Sequence, residues 1–120
     1  MKAIVIGCPG SGKSTFAKKL SKYTKTPLCY LDRLNWNADK TAVAREIFDE
    51  RLSAVLQKDE WIIDGNYMRT MEMRMTKADV IFYSIYRQIY VSTEFVNVLV
   101  KRMRIFRGSK RKLIMILSIL

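Results

Sequence analysis

A glycine-rich stretch near the start of the chain holds residues whose types and spacing suit phosphate binding. It reads GCPGSGKST over residues 7–15 and matches G-x-x-x-x-G-K-[ST] with Gly7, Gly12, Lys13 and Ser14. Glycines allow backbone angles at which successive N–H groups point at phosphate oxygens, and the positive end of a following helix adds to their effect. The lysine then reaches the β- and γ-phosphates, and the serine hydroxyl binds Mg²⁺. The stretch therefore predicts a site for ATP and Mg²⁺.

The prediction covers the whole loop and the first turn of the helix that follows it. Lys13 is assigned to catalysis as well as to phosphate binding, Ser14 to the metal, and Thr15 to the α-phosphate. The predicted nucleotide-binding residues are consecutive in the chain: Gly7, Cys8, Pro9, Gly10, Ser11, Gly12, Lys13, Ser14 and Thr15. The alternative is a glycine-rich turn between a strand and a helix that binds no ligand.

Two carboxylates are candidates for the rest of the chemistry. Asp64 closes the apolar run EWIID and is predicted to hold Mg²⁺ opposite Ser14, although Asp is also common in turns such as DGN. Asp32 closes LCYLD and is a candidate to orient or deprotonate an acceptor hydroxyl, or to join the metal shell. The alternative for Asp32 is a cap on a helix or turn.

Arginines provide candidates for charge stabilisation. Arg69 and Arg87 each follow a strand end by a few residues, where either would clamp an acceptor phosphate with two hydrogen bonds. A lid is predicted at about residues 101–112, around RGSK. We predict catalytic roles for Arg69 and Arg107 and nucleotide binding by Arg102, with surface charge as the alternative. The basic residues that belong to this lid region include Arg102, Arg104, Arg107 and Arg111.

Short apolar runs alternate with longer helical periods along the chain, and this order determines the expected fold. The predicted strands are 3–6, 28–32, 60–64 and 79–86. The predicted helices are 13–23, 41–57, 69–77 and 91–106, with a loop over 33–40. Strands that alternate with helices indicate an α/β fold, a parallel sheet between helical layers. Ligands bind such sheets beyond the carboxyl ends of the strands, where Gly7, Asp32, Asp64 and Arg87 are expected.

Composition sets limits on the class of protein. The chain has 120 residues, about the size of one domain, and 49% of them are hydrophobic, which suits a packed core. Apolar runs are too short to span a membrane or to form a signal peptide, so a cytoplasmic protein is predicted. There is no His, and the two cysteines lack metal-ligand spacing, which argues against histidine acid–base chemistry and a zinc site.

The charge is strongly positive and unevenly placed. Lys and Arg total 22 against 11 Asp and Glu, a net +11, and from Arg87 onward Glu94 is the one acid among eight basic residues. Such a region favours an anionic partner, which could be polyphosphate, nucleic acid or a membrane surface, while a solvated charged face is the alternative. We predict no membrane partner.

Four stretches in order resemble a known family. They are GCPGSGKST, YLDRLNW, EWIIDGNY and ADVIFYSIYR, and they are similar to the bacterial adenylate-kinase-related proteins called DNA topology modulation proteins, over about residues 1–112. The resemblance implies a P-loop kinase fold with a five-stranded parallel sheet, ATP and Mg²⁺ binding, and kinase activity. Asp64-Gly65 resembles the Asp-Gly pair that lies near the metal in adenylate kinases, and Arg69 stands one residue beyond their nucleotide-binding arginine.

The chain departs from that family at two places. Ser84 stands where the family has an acid near the end of the fourth strand. Relatives also continue past the lid with a fifth strand and a closing helix, whereas this sequence ends at KLIMILSIL. We therefore expect that the C-terminal strand and helix are lacking, and that the apolar tail packs as a short helix or against a partner chain in an oligomer.

Three functions follow from these residues. The leading one is an ATP-dependent, kinase-like protein that transfers a phosphoryl group from Mg-ATP to an unidentified small molecule or nucleotide. The second is an ATP-binding regulatory protein that acts on DNA topology through the basic region 87–112. The third is a truncated kinase relative that binds nucleotide with little activity.

Overall fold

Five parallel strands form one sheet at the centre of the fold. The computed structural model describes residues 1–7 and 12–84, and the backbone of 113–117. The strands, which lie in the order β2-β3-β1-β4-β5 across the sheet, are β1 Lys2–Gly7, β2 Leu28–Tyr30, β3 Trp61–Asp64, β4 Val80–Ser84 and β5 Leu113–Leu117. Every neighbouring pair is parallel, which confirms the α/β fold class. All carboxyl ends therefore lie at one edge of the sheet, where ligands bind in such folds.

Helices connect the first four strands at the expected places, with two corrections. The helices are α1 Lys13–Thr24, α2 Leu31–Leu34, α3 Arg45–Leu56 and α4 Met71–Lys77, and a 3₁₀ turn, Met68–Thr70, leads into α4. The predicted strand 28–32 is too long, because its last two residues begin α2. The predicted helix 41–57 begins later, at Arg45, because Val43 N–H bonds to Asn35 C=O and holds the preceding residues in a loop.

Alternate residues of the central strands supply two apolar cores, one on each face of the sheet. On the α1 face, Ala3 and Val5 pack in a cluster with Phe16, whose ring meets Phe82 edge-on at 5.0 Å between centroids. On the other face, Ile4 packs in a cluster with residues of α3, among them Phe48, Leu52 and Leu56. This alternation is the period-two pattern of a strand buried on both faces, and it gives the three-layer arrangement.

The expected absence of a C-terminal strand was wrong. Residues of the apolar tail form β5, which pairs with β4 in register from Val80↔Leu113 to Ser84↔Leu117. Without β5, this edge of β4 would present unpaired N–H and C=O groups, and an apolar, β-prone segment satisfies them. The predicted helix 91–106, the lid 101–112 and any closing helix lie outside the described residues, and the single domain over 1–120 stays a prediction. No helix among the described residues is long and apolar enough to cross a membrane.

Gly7, the last residue of β1, lies where a side chain has no room. Its φ is +133°, and an added Cβ would fall on the backbone carbonyl oxygen of Ser84 in the neighbouring strand. We expect Gly7→Ala to lower the free energy of unfolding by about 3 kcal/mol, since strain at a special φ adds to a backbone clash. Gly65→Ala, also at a positive φ of +152°, would bring its Cβ to 2.6 Å from Leu31 Cβ, a less severe contact than the one with the Ser84 oxygen at Gly7, and should cost less. Chemical denaturation of both variants measures the two losses in free energy of unfolding. A loss for Gly65→Ala that equals or exceeds the loss for Gly7→Ala contradicts the expectation.

Candidate functional site

Three of the predicted site residues meet at the carboxyl edge of the sheet. Lys13 and Ser14 occupy the first turn of α1, and Asp64 is the last residue of β3, the neighbour of β1. Lys13 Nζ lies 3.0 Å from Asp64 Oδ1, and Ser14 Oγ donates a hydrogen bond to Asp64 Oδ2 at 2.7 Å. The Asp64 side chain is only 3% exposed, and that of Lys13 is 18% exposed. Each oxygen of a buried carboxylate therefore has a partner, as a buried charge requires.

The chemistry of this donor set fits a magnesium nucleotide. A serine hydroxyl and a carboxylate side by side are hard oxygen ligands, which Mg²⁺ prefers. Among the described residues there is no cluster of three or more His, Cys, Asp or Glu that could hold a metal. Mg²⁺ commonly binds to one or two protein oxygens and completes its shell with phosphate oxygens and water, so two ligands are enough.

The start of α1 supports the same conclusion. Gly12 stands before the helix in a left-handed conformation, with φ 83° and ψ 14°, and its C=O accepts from Phe16 N–H at 2.9 Å. Gly12 has no side chain to cap the helix, and no acid lies in the first turn, so the positive end of this 12-residue helix keeps its attraction for an anion. The loop residues Cys8, Pro9, Gly10 and Ser11 lie outside the described residues.

Asn66 also contacts this site, although its place in the sequence predicted no role for it. Its Oδ1 accepts from Gly7 N–H at 2.8 Å, and its Nδ2 donates to Gly7 C=O at 2.7 Å. Both backbone groups of the first motif residue are thus bonded by one amide side chain 59 residues away. The letters DGN indicate only a turn, and the contact exists because β3 lies beside β1.

The chain is similar to an adenylate kinase. It is 31% identical to adenylate kinase 8 of Danio rerio over 81 residues, which are 67% of this chain and 15% of that protein. No protein-family model matches the sequence. The similarity supports a P-loop kinase related to adenylate kinases, in agreement with the parallel sheet and the residues around Asp64. The bacterial DNA topology modulation family stays a prediction.

Asp32, the second predicted carboxylate, pairs with a tyrosine. Asp32 lies in α2, two residues beyond the end of β2, and Tyr67 Oη donates to its Oδ1 at 2.6 Å. The preceding residue, Leu31, is buried, and its side chain packs so closely on Gly65 that a Cβ at that position would clash with it. Asp32 is thus placed next to the loop that follows Asp64, where the sequence predicted a group for an acceptor hydroxyl.

The contact with Asp32 changes the pKa of the Tyr67 phenol. Its hydrogen bond to the carboxylate, followed by desolvation and charge repulsion, raises the pKa of Tyr67 to about 12. An unfolded tyrosine has a pKa of about 10, so between these values the native state keeps a proton that the unfolded state has lost. The stability from this contact is therefore complete below about pH 10 and is lost as the pH rises through about 12.

We expect Asp32→Asn to lower the Tyr67 pKa towards about 10, because the neutral amide removes the charge that disfavours the phenolate. Phenolate absorbance measured against pH tests this shift. The difference spectrum between each protein and its Tyr67→Phe counterpart assigns the signal among the six tyrosines. A Tyr67 pKa that is the same in Asp32→Asn as in the wild type contradicts the expectation.

Arg69, a predicted catalytic residue, is engaged elsewhere in this structure. Its two terminal nitrogens bind the two oxygens of Asp49 on α3, at 2.8 and 3.0 Å, and its guanidinium lies 5.7 Å from the Phe48 ring centroid. The pair lowers the pKa of Asp49 and raises that of Arg69. Arg69 would have to leave Asp49 to clamp an acceptor, and its catalytic role stays a prediction. The other predicted arginines lie outside the described residues: Arg87, Arg102, Arg104, Arg107 and Arg111.

Proposed function

We propose that the chain is a Mg-ATP-dependent phosphotransferase of the P-loop kinase type. The observation that carries the proposal is the convergence of Lys13 and Ser14 on the two oxygens of Asp64, at the start of a helix that follows a Gly-rich loop. These groups are the cation, the hydroxyl and the carboxylate that bind a metal-bound triphosphate. Similarity to adenylate kinase 8 of Danio rerio supports the same class of reaction.

In this mechanism the chain's residues bind and align the reactants. Mg-ATP, when bound, supplies the transferable phosphoryl group and a metal charge that screens it. Lys13 would move from Asp64 to the phosphates, and Ser14 Oγ and Asp64 would hold the metal. Burial of Asp64 keeps water away from these charges, which strengthens their interactions. Positioning and charge stabilisation then provide most of the rate enhancement.

For the acceptor we propose a hydroxyl compound. The described residues beside the third-strand loop include the Asp32 carboxylate and the Tyr67 phenol, while Arg69, the predicted clamp that the structure describes, is held by Asp49. A carboxylate repels an acceptor phosphate, but it can accept the proton of an alcohol as that oxygen attacks. Asp32 is the proposed proton acceptor, and Tyr67 orients its carboxylate.

A transfer assay with labelled ATP tests both the kinase activity and the choice of a hydroxyl acceptor. The acceptors are matched pairs, nucleosides with their monophosphates, together with small alcohols. We expect transfer to a hydroxyl acceptor, and a loss of about 100-fold in Asp32→Asn at unchanged ATP affinity. Asp39→Asn, at another exposed aspartate, is the control and should have no effect. Turnover with monophosphates alone overturns the hydroxyl acceptor but leaves the kinase, and transfer to none of the acceptors by ATP-bound protein counts against the kinase.

Other expectations from the sequence stay predictions. They are a cytoplasmic location, nucleic-acid binding through 87–112, and association through the apolar tail, of which residues 113–117 pair with β4. Region 87–112 lies outside the described residues, and its charge alone supports a nucleic-acid partner. DNA affinity that is independent of salt concentration would remove this second function, because phosphate contacts weaken as salt rises.

A further inference from the structure

Arg74, a buried arginine in α4, stands apart from the predicted site. Its residue exposure is 0%, and it is among the largest fully buried side chains described. No described carboxylate forms an ion pair with it, and burial lowers its pKa. An apolar side chain would fill the same space without the cost of taking a charge out of water. The guanidinium therefore needs a role that its hydrogen bonds can explain.

Those hydrogen bonds go to the segment that follows Asp64. Arg74 Nη1 donates to Gly65 C=O at 2.9 Å and Nη2 donates to Tyr67 C=O at 2.7 Å, while Nε is 3.3 Å from Thr70 Oγ1. A guanidinium is a rigid planar fork, so two bonds from its ends fix the spacing and orientation of both carbonyls. The residue between these two carbonyls is Asn66.

Asn66 carries this restraint to the phosphate loop. Its amide bonds both the N–H and the C=O of Gly7, the residue at which β1 ends and the Gly-rich motif begins. On the other side Gly7 lies against the backbone of Ser84, so it is held from two directions. Asp64, which pairs with Lys13 and Ser14, directly precedes the segment that Arg74 holds.

We propose that Arg74 is a positioning residue for nucleotide binding. It holds Gly65 and Tyr67 so that Asn66 clamps Gly7 and the Gly-rich loop starts in the geometry that receives phosphate. The hydrogen bonds of Arg74 to described residues go to Gly65, Tyr67 and Thr70 and to no predicted phosphate-binding residue, so it acts through Asn66. The inference rests on the proposed function, since it assigns the residues that prepare the same nucleotide site.

The experiment measures Mg-ADP affinity by calorimetry for wild type, Arg74→Met, Asn66→Ala and the double variant. Each single change should weaken binding about tenfold, and the double variant should bind no more weakly than the weaker single variant, because both changes break one connection. A merely structural Arg74 would give losses that add. The matched control is Arg51→Met, which removes a guanidinium bonded to the carbonyls of Leu34 and Trp36 and should leave Mg-ADP affinity unchanged.

A replacement variant and a second measurement distinguish a failure of this inference from a failure of the proposed function. If Arg74→Met does not fold, Arg74→Lys replaces it, because an ammonium keeps the charge but cannot fix two carbonyls as a fork. Hydrogen exchange of the Gly7 amide in the absence of nucleotide should accelerate in both single variants. Additive losses, or unchanged affinity in Arg74→Met, overturn the inference while the function stands. A wild type that does not bind Mg-ADP overturns the proposed function itself.

Discussion

Replacing Lys13 with alanine is expected to lower ATP-dependent turnover by at least about 100-fold, the usual effect of removing one preorganised group that stabilises charge. Lys13 Nζ, 3.0 Å from Asp64, is the cation placed to move onto the transferring phosphates. Without it, one of the positive charges that oppose their negative charge is lost. Turnover and ATP affinity, measured at saturating Mg²⁺, test this expectation.

The alanine variant also carries a cost in stability, which has to be separated from catalysis. It leaves the buried Asp64 carboxylate with the Ser14 hydroxyl as its described partner, and an uncompensated buried charge lowers the free energy of unfolding. Lys13→Arg is the matched variant, because it keeps a cation beside Asp64 while changing the shape of the group that meets the phosphates. We expect it to unfold near the wild-type temperature and still lose turnover. Wild-type turnover in either variant contradicts the assigned role.

Replacing Asp64 with asparagine is expected to lower Mg²⁺-dependent turnover and to strengthen ATP binding in the absence of metal. Mg²⁺-dependent turnover should fall by about 1,000-fold, since the carboxylate proposed to hold the metal is gone. ATP binding without metal should become about tenfold tighter, because Lys13 is no longer paired with Asp64 and the carboxylate no longer repels phosphate. In the structure, the carboxylate is bonded to both the lysine and the serine that are proposed to bind the Mg-nucleotide.

Calorimetry with ATP, in chelator and in Mg²⁺, measures the binding difference, and the transfer assay measures turnover. Asp79→Asn is the matched control: Asp79 precedes β4 and accepts from Lys2 N–H at the opposite, amino edge of the sheet. It removes the same charge from the chain but leaves the Lys13 pairing intact. If Asp64→Asn weakens metal-free ATP binding, or retains Mg²⁺-dependent turnover, the assignment of this carboxylate fails.

Most of the fold could be predicted from local patterns, and the misses have physical reasons. Apolar runs such as 3–6 specify buried strands because a parallel strand is covered on both faces. The last residues of the predicted strand 28–32 became α2, where Leu31 packs into the core beneath Gly65. The tail at 113–117 is a strand because the edge of β4 offers hydrogen-bond partners, which no local pattern displays.

For the site, the amino-acid sequence was sufficient where neighbours in the chain are neighbours in space. The Gly-rich motif places Lys13 and Ser14 in the first turn of α1, and the rule for strand ends places Asp64 at the same edge. Contacts between distant segments needed the folded chain. The order β2-β3-β1-β4-β5 puts β3 beside β1, and this adjacency places Asn66 on Gly7 and Asp64 between Lys13 and Ser14. The sequence does not show which residue a charged side chain pairs with, since the partner depends on which elements pack together.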